Sequence, residues 1–132
     1  MKTQKNSEKS ETSTKNDQLD MSFDYITTRE NGYGKLYLII NNRANTDAKL
    51  IFDKLYINGL SCDISGNPSI PAETELEVEL SIHTDLLLKK DISTIKNAQF
   101  QYYIRNNDNH YTPSEDGYSR KLENLDSQLI IE

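Results

Sequence analysis

The sequence predicts an all-β domain, an antiparallel β-sandwich of about seven strands behind a polar N-terminal tail, and three observations lead there. Apolar and polar residues alternate in short runs, most clearly where Leu76, Val78, Leu80 and Ile82 interleave with Glu75, Glu77, Glu79 and Ser81. That period of two is the mark of a half-buried strand. Turn signals recur at roughly the 8–12-residue spacing of sandwiches. No amphipathic stretch is long enough to be a crossover helix, which argues against βαβ units.

Residues 1–20 are almost entirely Lys, Glu, Ser, Thr, Asn, Asp and Gln. They offer too little apolar area to offset the entropy lost on ordering, so a disordered linker or tether is expected there, with the folded domain at 21–132. Met21, Phe23 and Tyr25 then alternate with Ser22 and Asp24, a strand with those three side chains on one face. Turn chemistry follows at Glu30 to Gly34. In the strand from Lys35 to Asn41, Leu36, Leu38 and Ile40 take one face while Tyr37 and Ile39 take the other. Apolar residues on both faces suit a strand that is central or covered by a loop.

After a polar turn at Asn41 to Asp47, Ala48 to Ile57 forms a strand whose phase breaks at Asp53-Lys54, which predicts a β-bulge or a crossing between sheets. Asn58-Gly59 fits a type I′ hairpin turn, because both central positions need positive φ. It should join Leu55–Ile57 to Leu60–Ile64. Ser65 to Pro71 holds two prolines and reads as a loop. The alternating strand Thr74 to Ile82 comes next, and its like charges discourage edge-to-edge pairing, as on an edge strand. Asp85 to Lys90 suits one helical turn capped by Thr84 or Asp85. Ala98, Phe100, Tyr102 and Ile104 mark another strand, Asn106 to Gly117 a long Asx-rich loop, and Gln128 to Ile131 a closing strand.

Composition excludes several functions. The formal charge of −6 argues against general binding to nucleic acid or anionic membranes, since both need a basic face. Lys2, Lys5, Lys9 and Lys15 balance Glu8, Glu11, Asp17 and Asp20, so the negative charge belongs to the folded part. The lone Cys62 has no partner for an internal disulfide and reads as a half-buried small side chain rather than a reactive thiol. No apolar run is long enough to span a membrane, and no secretion signal follows Met1.

The middle of the chain carries Leu36-Tyr37-Leu38-Ile39-Ile40-Asn41-Asn42, then Leu55-Tyr56-Ile57-Asn58-Gly59. Pro71-Ala72-Glu73-Thr74 and Ile95-Lys96-Asn97-Ala98-Gln99-Phe100-Gln101-Tyr102 follow. In that order these segments resemble immunoglobulin-like β-sandwich domains found in lipoproteins and secreted proteins of low-GC Gram-positive bacteria. The resemblance covers about residues 35–105. It implies an immunoglobulin-like fold, an extracellular or membrane-tethered location with a lipid tether upstream, and an unidentified protein or envelope component as partner. It implies no catalytic site, and no lipobox cysteine precedes the polar spacer here.

Candidate chemistry is sparse. Glu75, Glu77 and Glu79 place three carboxylates about 7 Å apart on one strand face, which reads as a solvent face paired with lysines on a neighbouring strand before it reads as a cation site or a docking ladder for a basic partner. Asn106 to His110 with Glu115 and Asp116 offer hard oxygen ligands, yet lack the spacing of a calcium loop. His83 and His110 are the only histidines and show no zinc-ligand spacing. Neither a strained nucleophile turn nor a base held by an acid is marked. The expected binding surface is the long loop, through Asn107, Asp108, Asn109, His110, Tyr111 and Tyr118, because loops on rigid scaffolds often carry recognition. The functional expectation is a non-catalytic module making protein or ligand contacts, with no cofactor and no catalytic or metal residues. The alternative is a small-molecule, carbohydrate or calcium-binding domain using the 106–118 loop.

Overall fold

The computed structural model describes residues 18–105 and 117–132. Ten strands and one short helix follow in chain order: β1 (Leu19–Thr28), β2 (Tyr33–Asn42), β3 (Ala48–Ile57), β4 (Leu60–Ser65), β5 (Ser69–Ile70), β6 (Thr74–His83), α1 (Asp85–Lys89), β7 (Thr94–Ile95), β8 (Ala98–Arg105), β9 (Gly117–Leu122) and β10 (Ser127–Ile131). All are linked in one hydrogen-bonded network of order β7-β10-β1-β2-β6-β4-β3-β8-β9, with β5 on β3. The network doubles back on itself. Arg120 Nη2 in β9, at one end of the path, donates to the Leu19 carbonyl in β1 at 2.8 Å, so the two stretches of sheet lie face to face in a sandwich-like arrangement.

One layer is β1-β2-β6, and the other is β4-β3-β8-β9. β4 is the crossing strand. It pairs with β3 from Lys54 to Ile57, then Ile64 and Ser65 pair with Ile82 and Ser81 of β6. β10 adds to β1 in parallel through Leu129 to Ile131.

Inward-facing residues of both layers build one core. Phe100 and Tyr102 are fully buried, and Phe52 packs on them at ring distances of 5.5 and 5.7 Å. Burying each such side chain is worth about 1.5–3 kcal/mol, so the aromatic trio anchors the β3-β8 half. Leu36, Leu38 and Ile40 of β2 do the same for the other half, all completely buried.

Local expectations and local structure agree at several points. The register shifts between Phe52 and Lys54, which makes Asp53 the bulge that the broken phase predicts. Asn58 and Gly59 have φ of 51° and 81°, as a type I′ turn demands. The Asn58 side chain also braces the β7 region, donating to the Thr94 carbonyl at 2.9 Å and accepting from the Lys96 amide at 2.7 Å.

Elsewhere the structure differs, for identifiable reasons. β1 begins at Leu19, because that side chain is buried in the core. A second bulge, at Asp24, shifts the register between Phe23 and Tyr25. It turns Tyr25 away from the side taken by Met21 and Phe23, and Ile26 fills the core position instead. Ten strands replace about seven, since β5, β7 and β9 escape the pattern. β5 and β7 are two residues each, and β5 sits between two prolines. β9 puts Arg120 at an inward position, which hides its alternation. Thr84 does occupy the helix N-cap, but it makes no side-chain cap bond. Its hydroxyl is hydrogen-bonded to that of Thr28 instead.

Candidate functional site

The expected binding loop falls largely outside the structure: Asn107, Asp108, Asn109, His110 and Tyr111 lie outside the described residues. Tyr118 is described, and it is a packing residue of β9. Its half-buried ring stacks on Tyr102 with centroids 5.4 Å apart and planes 15° from parallel.

A different surface draws attention: the outer face of β1-β2-β6. Its residues follow from register. Tyr25 is opposite Tyr37 across the β1-β2 ladder, and Tyr37 is opposite Glu79 and Tyr33 opposite His83 across β2-β6. The Asp24 bulge puts Tyr25 on this face, so its ring stacks on Tyr37 at 4.4 Å and 19°. Such pairs add about 0.5–1.5 kcal/mol beyond burial. Tyr33 meets the His83 ring edge-on at 5.4 Å, while 62 % of its surface stays exposed.

The Tyr33, Tyr37 and His83 rings border a groove of about 510 Å³, lined also by Arg29, Lys35, Ser81 and Glu132 among others. The rim is held by the β1-β2 turn. Gly32 sits there at φ +91°, where a Cβ would lie 1.9 Å from Asp85 Oδ1. The Tyr33 amide donates to Asn31 Oδ1 at 3.1 Å, and the Thr84 amide to the Gly32 carbonyl at 2.8 Å. The groove thus rests on a turn that is tied to the helix start. It lies where β1 ends and β2 begins. Arg105, which precedes the long loop, pairs with Lys49 at the start of β3, at the other end of the sandwich.

Charge on this face is organised. Lys35 Nζ pairs with Glu79 Oε2 at 2.6 Å, and the Tyr37 hydroxyl donates to Glu79 Oε1 at 3.2 Å. The lysine hydrogen bond, first of its causes, holds the Glu79 carboxyl below its ordinary value. Glu77 goes the other way: a hydrogen bond shared with Asp24 pushes it up. Desolvation, then Glu77 and Asp24, raises the Tyr25 hydroxyl. Desolvation, then Glu79, raises that of Tyr37. Of the three glutamates expected to pair with lysines, Glu79 alone does so among the described residues. The face therefore combines stacked phenols, one neutralised carboxylate and a repelling carboxylate pair, a set suited to recognition by ring contact and hydrogen bonding.

Cys62 lies elsewhere, in β4, and is more buried than its flanking polar residues suggest, at 4 % exposure. Burial, then Asp63, pushes its thiol up to about 11, so it stays protonated near neutrality and is a poor nucleophile. Among the described residues, no group of three or more His, Cys, Asp or Glu side chains is placed to hold a metal ion, and no helix is long and apolar enough to cross a membrane.

The groove residues carried one sequence signal, the shared parity of Tyr33, Lys35 and Tyr37 on β2. Without the Asp24 bulge and the β2-β6 register, nothing links that parity to Tyr25 or His83. No protein-family model matches the chain, and no curated protein matches it.

Proposed function

We propose that this chain is a non-catalytic recognition module, tethered at or secreted from the cell surface, that binds a protein or envelope component on the outer face of β1-β2-β6. The observation that carries the reading is the aromatic groove: an exposed Tyr33 ring beside His83, with the Tyr25-Tyr37 stack behind it, held on paired strands. Aromatic rings on a rigid scaffold give contact area at low entropic cost. The Ser/Thr/Lys-rich composition of residues 1–20 and the resemblance to domains of Gram-positive lipoproteins support the surface location.

Site-specific photo-crosslinking tests the function. A benzophenone amino acid replaces Tyr33 or, as control, Tyr56 of β3 on the opposite layer, and the protein is irradiated in its source cells. A discrete adduct from position 33 and none from position 56 is expected. Adducts from 56 alone, or from neither, would overturn the reading. Protease treatment of intact cells tests the location: cleavage is expected, and full protection would remove the surface assignment.

A further inference from the structure

β6 has a full-length neighbour on one side and almost none on the other. β2 pairs with it from Tyr33↔His83 to Asn42↔Thr74. On the far side only Ser81 and Ile82 are paired, with β4. Gly66 still packs against Leu80, where an added Cβ would lie 3.7 Å from the Leu80 Cα; from there the chain follows β3, the Gly66 and Pro68 carbonyls accepting from Phe52 and Leu50 and Ile70 pairing with Ala48. Among the described residues, no backbone hydrogen bond from outside β2 reaches Glu75 to Leu80.

An open edge of this kind is a template for an added strand, and its side chains select the occupant. Glu75 and Glu77 point outward along the edge, exposed and without a lysine partner among the described residues, while Glu79 is already held by Lys35 and Leu76 on the inward side is only half-buried. An added strand would place alternate residues beside the glutamates, with the same repeat of about 7 Å, and the residues between them over Leu76. We propose that the Thr74–Val78 edge of β6 accepts an extended partner segment with Lys or Arg at alternate positions, beside Glu75 and Glu77, and aliphatic residues between them.

Two other occupants fit less well. A second copy joined β6 to β6 would set glutamate against glutamate, which is destabilising across a ladder. The chain's own residues 1–17 contain no apolar residue after Met1, so they cannot supply the aliphatic positions. Cross-strand ion pairs of the required kind already occur on this face, where Lys35 of β2 meets Glu79.

The test uses the full chain and a synthetic nine-residue peptide with Lys at three alternate positions, Val between them and Thr at the ends. The control peptide has the same composition with its lysines contiguous. Binding is followed by NMR titration and by amide hydrogen exchange. The alternating peptide is expected to bind at least tenfold more tightly than the control and to slow exchange at alternate amides of Thr74–Val78. The double variant E75K/E77K is expected to lose at least tenfold in affinity. The milder E75Q/E77Q keeps the test valid if charge reversal disturbs folding. Equal binding of both peptides, no binding at millimolar concentration, or binding without slowed exchange on β6 would overturn the proposal. This edge does not depend on the groove at Tyr33, so crosslinking from position 33 can fail while the peptide binds, and the reverse.

Discussion

At the scale of single residues, environment decides what each ionisable group can do. Cys62 of β4 is buried in the apolar core, and its thiol is raised from 9.0 to about 11. The native state therefore prefers the thiol more strongly than the unfolded chain does. Its contribution to stability is fully present below pH 9 and is lost as pH rises through about 11. Iodoacetamide at pH 8 should leave Cys62 unmodified in the folded protein and alkylate it rapidly in denaturant; rapid labelling of the native protein would contradict its burial. Glu77 and Glu79, two residues apart, should behave oppositely. The depressed Glu79 contributes stability above the ordinary glutamate range, lost as pH falls through its folded value. The raised Glu77 favours its protonated form, so its contribution is present at low pH and lost as pH rises. At pH 7, Glu77→Gln should raise the urea midpoint and Glu79→Gln should lower it. Equal shifts would show that the Asp24 and Lys35 contacts do not operate in solution.

At the scale of elements, the strands legible in the sequence were those whose pattern is set by neighbours in the chain. Alternation marked β6, the phase break at Asp53 marked the bulge of β3, and Asn58-Gly59 marked its hairpin. Structure set by distant partners was not legible. Nothing local announces that Asp24 is an extra residue, yet that bulge moves Tyr25 from core to outer face and thereby creates the Tyr25-Tyr37 stack. β9 stayed hidden for a similar reason. Its inward position carries Arg120, only 5 % exposed, whose charge finds the Leu19 carbonyl of β1 and approaches the Tyr102 ring to 5.9 Å. A buried cation in a strand becomes sensible only when the other layer is in view. Arg120→Met keeps the stem but loses the bond that ties β9 to β1. It should destabilise the fold by about 1.5–3 kcal/mol, measured by urea unfolding, and an unchanged midpoint would contradict this bracing role.

At the scale of the whole molecule, the sandwich separates the aromatic core from the outer face proposed for binding. The aromatic core of Phe52, Phe100 and Tyr102 and the Arg120 bridge fix the two layers. The outer face of β1-β2-β6 presents the phenols and histidine, and Tyr56 marks the opposite face. Arg105, the last described residue before the segment that sequence reasoning favours, pairs with Lys49 at the end of the sandwich remote from the groove, so the two candidate surfaces can be told apart by where a partner leaves its footprint. The most direct test of the central claim is hydroxyl-radical footprinting, comparing the purified protein with the protein in extracts of its source cells. Protection of Tyr33 and His83 with Tyr56 unchanged is the predicted result. Protection of Tyr56 with Tyr33 and His83 still fully oxidised would contradict it.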